Sequence, residues 1–328
     1  MAAGSTASVA RTPDERFVGL PDYPFEPRYA EVPGISGDHL RMHYLDEGPR
    51  DAHPVLLLHG QPTWSYLYRH VVPGLVARGH RVVAPDLVGF GRSDKPADPT
   101  DYTVERHVGW LAALVGVLDL RHVTLVAQDW GGPIGLAVLA GDPVRFDRVV
   151  ATNTMLHTGD PALAERIAWA NHSQGRGRRV VEEALLDYVH LAQRAPSLRA
   201  GVFVQFATVG DVPEDVLAAY DAPFPDPRYQ AGMRQFPALV PLTSSDPATA
   251  LARSAWEALG TWERPFLTLY SDGDPATRGW DNVFCDHVPG AAGMPHATIP
   301  SAGHFVQEDQ GPLLARLVDE FVEGTPLG

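Results

Sequence analysis

Six short and almost wholly apolar runs, residues 55–58, 81–85, 123–127, 148–152, 266–270 and 297–300, limit how this chain can fold more than any other feature. They are rich in Val, Leu or Ile and do not alternate with polar residues. That is the pattern of strands covered on both faces. Helical patterns separate most of the runs, so the expected fold class is α/β, a mostly parallel sheet flanked by helices. Ahead of them, residues 28–32 and 40–45 predict an antiparallel pair, because the second run alternates apolar and polar side chains.

The rhythm breaks between Met155 and about Thr243. Residues 161–172, 179–195 and 214–220 have helical patterns, and no buried strand is evident until Phe266. A helical insertion between two strands of one sheet is the economical organisation. It divides the chain into a first core part (1–154), a helical cap (155–243) and a second core part (244–328). There is no internal repeat.

With 26 Lys and Arg against 40 Asp and Glu, the formal charge is −14. Such a surface repels phosphate backbones, so nucleic acid is not an expected partner. The one basic cluster, Arg176, Arg178 and Arg179, is interleaved with glycine and reads as a solvated turn. The single cysteine, Cys285, excludes an internal disulfide and a multi-thiolate metal site. Residues 1–16 lack the apolar run of a signal peptide, and no window approaches the roughly eighteen apolar residues that span a bilayer. A soluble, cytoplasmic, monomeric enzyme without membrane attachment is expected.

The chemistry concentrates in Val123-Thr-Leu-Val-Ala-Gln-Asp129-Trp-Gly-Gly132, which leads from a strand into a helix expected over 134–140. With Ala127 and Gly131 as small neighbours of Asp129, it resembles the nucleophile elbow of the α/β-hydrolase fold. The start of the helix adds free N–H groups that favour a carboxylate. The plainer alternative is an Asp cap on an ordinary strand-to-helix crossing. Two further motifs weigh against it. His59-Gly-Gln-Pro62 follows a strand where that fold places an oxyanion hole, built from the N–H groups of Gln61 and Trp130. Ser301-Ala-Gly-His304-Phe follows the last strand, where the fold places its catalytic base; His304 is singled out by position among 14 histidines. The acid that orients His304 is expected after residues 266–270, where Asp272 and Asp274 both stand. Asp274, deeper in the loop, is preferred, with Asp272 as a turn former. Asn153, at the alternative position, cannot supply a charge.

A carboxylate is a poor acyl-transfer nucleophile but can displace a leaving group from an sp³ carbon, giving an alkyl ester. Water deprotonated by His304 would then attack the Asp129 carbonyl carbon. The leaving group is a halide or an epoxide oxygen. The Trp130 indole N–H donates and cannot accept, which suits a halide; an epoxide oxygen needs a proton, usually from cap tyrosines.

The chain resembles the haloalkane dehalogenases, in particular the subfamily with its acid after the seventh strand. The resemblance runs through residues 11–17, His59-Gly-Gln-Pro-Thr-Trp-Ser-Tyr-Leu-Tyr-Arg69, residues 86–96, Gln128-Asp-Trp-Gly-Gly132, residues 220–226 and residues 303–309. It implies Asp129 as nucleophile, Asp274 as acid, His304 as base and Trp130 as a halide donor. It also implies an apolar cavity under the cap, to which Phe236 and Pro237 contribute, a small apolar halogenated substrate, a released halide, and no metal or organic cofactor. A second halide donor is implied on the cap. One alignment places it at Trp169, which is preferred, and another at Tyr188, because residues 175–186 look like extra cap sequence. Gln61 departs from the Glu or Asn common in relatives and could itself donate to halide. Two alternatives stay open: an epoxide hydrolase with the same Asp129, His304 and Asp274, and a non-catalytic binder on the same fold.

Overall fold

The computed structural model describes residues 8–160, 162–163 and 187–326. Its main sheet has eight strands in the order β10-β9-β8-β7-β4-β5-β3-β2. These are β2 (Arg28–Pro33), β3 (His39–Glu47), β4 (Pro54–Leu58), β5 (Arg81–Pro85), β7 (Val123–Asp129), β8 (Phe146–Thr154), β9 (Phe266–Ser271) and β10 (Ala297–Ile299). Two short strands, β1 (Val9–Ala10) and β6 (Lys95–Pro96), pair apart from it. From β5 to β10 every neighbouring pair is parallel, whereas β2 with β3 and β3 with β5 are antiparallel. The fully apolar runs thus became the parallel centre and the alternating run its antiparallel margin. Every residue of β4 and β9 is buried.

Helices α1 (Val72–Val76), α2 (Val104–Val117) and α3 (Gly131–Gly141) lie between the first core strands. Between β8 and β9 the described chain is helical at residues 187–194, then forms α4 (Ala200–Ala207), α5 (Glu214–Asp221), α6 (Ala231–Gln235) and α7 (Thr249–Leu259), with no strand among its described residues. Helices α8 (Trp280–His287) and α9 (Val306–Gly324) complete the core. Helices α2, α3 and α7 pack as one layer, and α1 packs with α9. Among the described residues no helix is long and apolar enough to cross a membrane.

Residues 214–220 are helical as expected, while 164–172 and 179–186 lie outside the described residues. Helix α4 was not foreseen. Its Val and Phe residues have low helix propensity. Tertiary packing overrides it: α4 and α5 approach so closely that a side chain on Gly201 would put its Cβ 2.5 Å from the Leu217 carbonyl oxygen. The carboxyl ends of β7, β8 and β9 and the loop after β4 converge on one edge of the sheet, the usual place for a site in such folds.

Candidate active site

Asp129 ends β7 in a left-handed backbone conformation, with φ of 48°. For a residue with a side chain that is strained, and strain of this kind persists only where the surroundings enforce it. Thr154 Oγ1 donates to the Asp129 carbonyl at 2.6 Å. The turn also brings Gly131 so near β4 that a Cβ there would lie 2.4 Å from the Leu58 carbonyl oxygen. The strain lifts the Asp129 carboxylate off the sheet. Its Oδ1 accepts the Gln61 N–H at 2.8 Å. This contact needs a glycine at position 60, since a Cβ there would meet Oδ1 at 2.1 Å.

The Gln61 N–H is aimed by the peptide before it. His59 Nε2 accepts the Leu87 N–H at 2.9 Å, so the ring proton resides on Nδ1, 2.8 Å from the Gly60 carbonyl. Burial lowers the His59 pKa and favours this neutral form. Thr63 donates its N–H (3.1 Å) and its hydroxyl (3.0 Å) to the same carbonyl. Three donors fix the Gly60–Gln61 peptide with its N–H toward Asp129.

On the other side of the carboxylate, His304 Nε2 stands 3.4 Å from Asp129 Oδ2. Its Nδ1 faces Asp274 Oδ2 at 3.1 Å. Asp274 is buried, accepts the Ala276 N–H at 2.8 Å and also bonds the Thr277 hydroxyl. Although burial opposes it, His304 and these donors hold the Asp274 pKa below the usual carboxylate range. Burial would also depress His304, but Asp274 and Asp129 outweigh it and push the imidazole up to about 10. The His304 backbone is clamped: its N–H donates to the Ala207 carbonyl of α4 at 2.7 Å, and its carbonyl accepts from Asn153 Nδ2 at 3.0 Å. Asn153, with φ of 38°, thus serves the histidine loop as a neutral clamp. Asp272 proves to be more than a local turn former, because its carboxylate accepts the N–H groups of Ser301 (3.1 Å) and Ala302 (3.2 Å) just ahead of His304.

The Trp130 ring is buried and meets Phe236 edge-on, with centroids 5.3 Å apart. Phe236 is also in contact with Phe90 and His107, so it backs Trp130 from within the core, and Pro237 beside it is buried too. A mostly apolar recess, lined among others by Trp130, Met155, Leu156, Val240 and Leu251, adjoins the indole; Asp129, His304, Phe236 and Pro237 do not line it. Tyr188 comes down from the cap and donates its hydroxyl to Gln61 Oε1 at 2.5 Å. Burial, with a smaller contribution from Asp129, raises the Tyr188 pKa and keeps it a donor. Gln61 Nε2 in turn donates to the Met233 carbonyl at 3.2 Å. Trp169 lies outside the described residues. The structure therefore brings Asp129, Gln61, His304, Asp274 and Tyr188 together, with Trp130 and Phe236 adjoining. The roles of His59, Asn153 and Asp272 in fixing the peptide and the loop were not read from sequence.

A carboxylate held between a backbone N–H and an imidazole, in an apolar setting, is suited to attack carbon and then to be regenerated by activated water. The family model described as alpha/beta hydrolase fold matches residues 53–277, and the chain has that fold. The chain is 50% identical over 318 residues to a haloalkane dehalogenase of Psychrobacter cryohalolentis, covering 97% of this chain and 99% of the relative. A haloalkane dehalogenase of Mycobacterium marinum is 49% identical over 310 residues, covering 94% and 98%. In structure the chain is similar to the haloalkane dehalogenase DpaA from Paraglaciecola agarilytica, solved as a tetramer, with a TM-score of 0.81, 35% identity and coverage of 94% and 97%.

Proposed function

Because the chain belongs to the haloalkane dehalogenases, hydrolases that act on carbon–halide bonds, we propose that Asp129 is its nucleophile, His304 its base and Asp274 the acid that orients the base. The observation that carries this assignment is the Asp129 carboxylate itself, lodged between the Gln61 N–H and His304 Nε2.

In the first step a carboxylate oxygen of Asp129 displaces the halide from an sp³ carbon, forming an alkyl ester. Trp130 donates to the departing anion, joined by a second donor from the cap, Tyr188 or Trp169, or by Gln61. In the second step water bonds to the Asp129 carbonyl carbon as His304 Nε2 takes its proton. The N–H groups of Gln61 and Trp130 then hold the charge on the carbonyl oxygen. Collapse breaks the bond to the alkyl oxygen, which leaves as alcohol with the proton from His304. The second proton of water is released as Asp129 ionises. Phe236 and Pro237 form the apolar backing of the pocket. The division into core (1–154 and 244–328) and cap (155–243) belongs to the same proposal, supported by the helical character of the chain described between β8 and β9.

The epoxide-hydrolase alternative is not favoured, since the relatives at about half identity bear the haloalkane dehalogenase name. A cytoplasmic monomer is likewise proposed; the lone cysteine is in keeping with the location, and sedimentation velocity tests the monomer against the tetramer described for DpaA. The activity is tested by halide release and acidification on a panel of bromo- and chloroalkanes. Release that is lost in Asp129→Asn supports the proposal. Silence on the panel with turnover of styrene oxide overturns it.

A further inference from the structure

Gln128 precedes the nucleophile on β7, and its side chain is fully buried. Its carboxamide nitrogen lies 3.2 Å from His304 Nε2 and 3.3 Å from the His304 carbonyl oxygen. The carboxamide oxygen has no hydrogen-bond partner among the described residues. An orphaned buried acceptor is unfavourable, and one beside a reacting nitrogen calls for a reason.

His304 Nδ1 is committed to Asp274, so Nε2 is the nitrogen whose protonation changes. The charged groups facing this ring are Asp274 at Nδ1 and Asp129 at Nε2. When Nε2 is unprotonated, its lone pair can accept the Gln128 N–H, since the carboxamide nitrogen stands within reach at 3.2 Å. Once Nε2 has taken a proton from water, that N–H would confront another N–H. Turning the carboxamide over brings its unused oxygen to the new donor instead. The His304 carbonyl is not abandoned by this turn, because Asn153 Nδ2 holds it at 3.0 Å. One side chain can thus partner both protonation states.

We propose that Gln128 is a positioning residue for His304, donating to the neutral base and accepting from the imidazolium while the Asp129 ester is hydrolysed. This rests on the two-step reading above, and it concerns the second step alone. The displacement of halide by Asp129 itself needs no proton transfer to or from His304 and does not depend on Gln128.

The test follows bromide release and the butyl ester, by rapid quench and intact mass, with 1-bromobutane across a pH series. The unmodified protein is compared with Gln128→Glu and Gln128→Leu. An ionised glutamate only accepts and so favours the imidazolium. The expected result is a retained burst of about one bromide per site, ester hydrolysis slowed roughly tenfold or more, and its pH limb raised by about one unit. Leucine makes neither bond; it should slow hydrolysis with the burst retained and no upward shift of the limb. It also carries the test should the glutamate variant not fold. Hydrolysis by the leucine variant at the unmodified rate would overturn the proposal, as would equal loss in both steps, the mark of a packing role. An unmodified protein that releases no bromide would sink the underlying reading and this proposal with it.

Discussion

His304 Nε2 lies 3.4 Å from the Asp129 carboxylate, the group whose charge must vanish before the imidazole can act as a base. Against the effect of burial, Asp274 and Asp129 together raise His304 to about 10, so the free protein holds an imidazolium. Alkylation turns Asp129 into a neutral ester and removes one of the two carboxylates, and the His304 pKa falls when a base is needed. Stopped-flow measurements should show alkylation nearly independent of pH from about 6 to 9 and ester hydrolysis rising across that range to a plateau. Hydrolysis that is flat while alkylation rises would reverse the account. The same shift has a stability consequence. A raised folded pKa gives stability that is fully present below 6.5, the ordinary value, and is lost as pH rises through about 10. Denaturation midpoints should fall over that window, and less steeply in Asp129→Asn.

Gly60 is the most exacting position around the nucleophile. An added Cβ would lie 2.1 Å from Asp129 Oδ1 and would displace the carboxylate from the Gln61 N–H. Gly60→Ala is expected to slow hydrolysis of the ester, whose oxyanion the Gln61 N–H holds, by about 100-fold or more, the usual scale for losing such a donor. Circular dichroism should be unchanged. Ester hydrolysis within a few-fold of the unmodified protein would show that the reaction does not depend on this contact.

The buried Arg69 and the partly buried Glu308 form a bidentate pair at 2.7 and 2.6 Å, and Tyr220 of α5 donates to the same carboxylate at 2.6 Å. The cluster joins the loop after β4, the cap and the start of α9. Glu308→Ala leaves the guanidinium buried without its partner and should cost about 3–5 kcal/mol in urea denaturation. The double variant Arg69→Met/Glu308→Leu should recover much of the loss. A single variant costing no more than an exposed pair, about 1 kcal/mol, would mean that water reaches the cluster.

The cap donor can be assigned by halide-dependent quenching of tryptophan fluorescence. Tyr188 already reaches Gln61 beside the nucleophile. Tyr188→Phe is therefore expected to weaken bromide binding by about tenfold, the scale of one hydrogen bond to an ion. Trp169→Phe should leave the affinity nearly unchanged. The opposite ranking would move the donor to Trp169.

The sheet was legible in the sequence because its central strands are buried on both faces and carry short runs that are mostly apolar rather than alternating. Asp129 stood out as a candidate because His59-Gly-Gln61 and Gly303-His304 fall at matching strand ends; by itself it could equally have been a helix cap. The supporting contacts were not. That His59 Nε2 accepts from Leu87 or that Asn153 clamps the His304 carbonyl depends on residues 28 and 151 positions apart. No local pattern encodes such pairs. Asp272 illustrates the limit: in sequence it is one of two carboxylates in a turn, and only the fold shows it gripping Ser301 and Ala302. Helix α4 escaped notice because its Val and Phe content favours a strand, and it is helical through contact with α5.

The covalent ester tests the central claim most directly. His304→Phe, incubated with 1-bromobutane and digested for peptide mass mapping, is expected to release about one bromide per site. It should then retain one butyl group on the peptide that contains Asp129. Sustained turnover in this variant, or a butyl group absent from Asp129, would contradict the account.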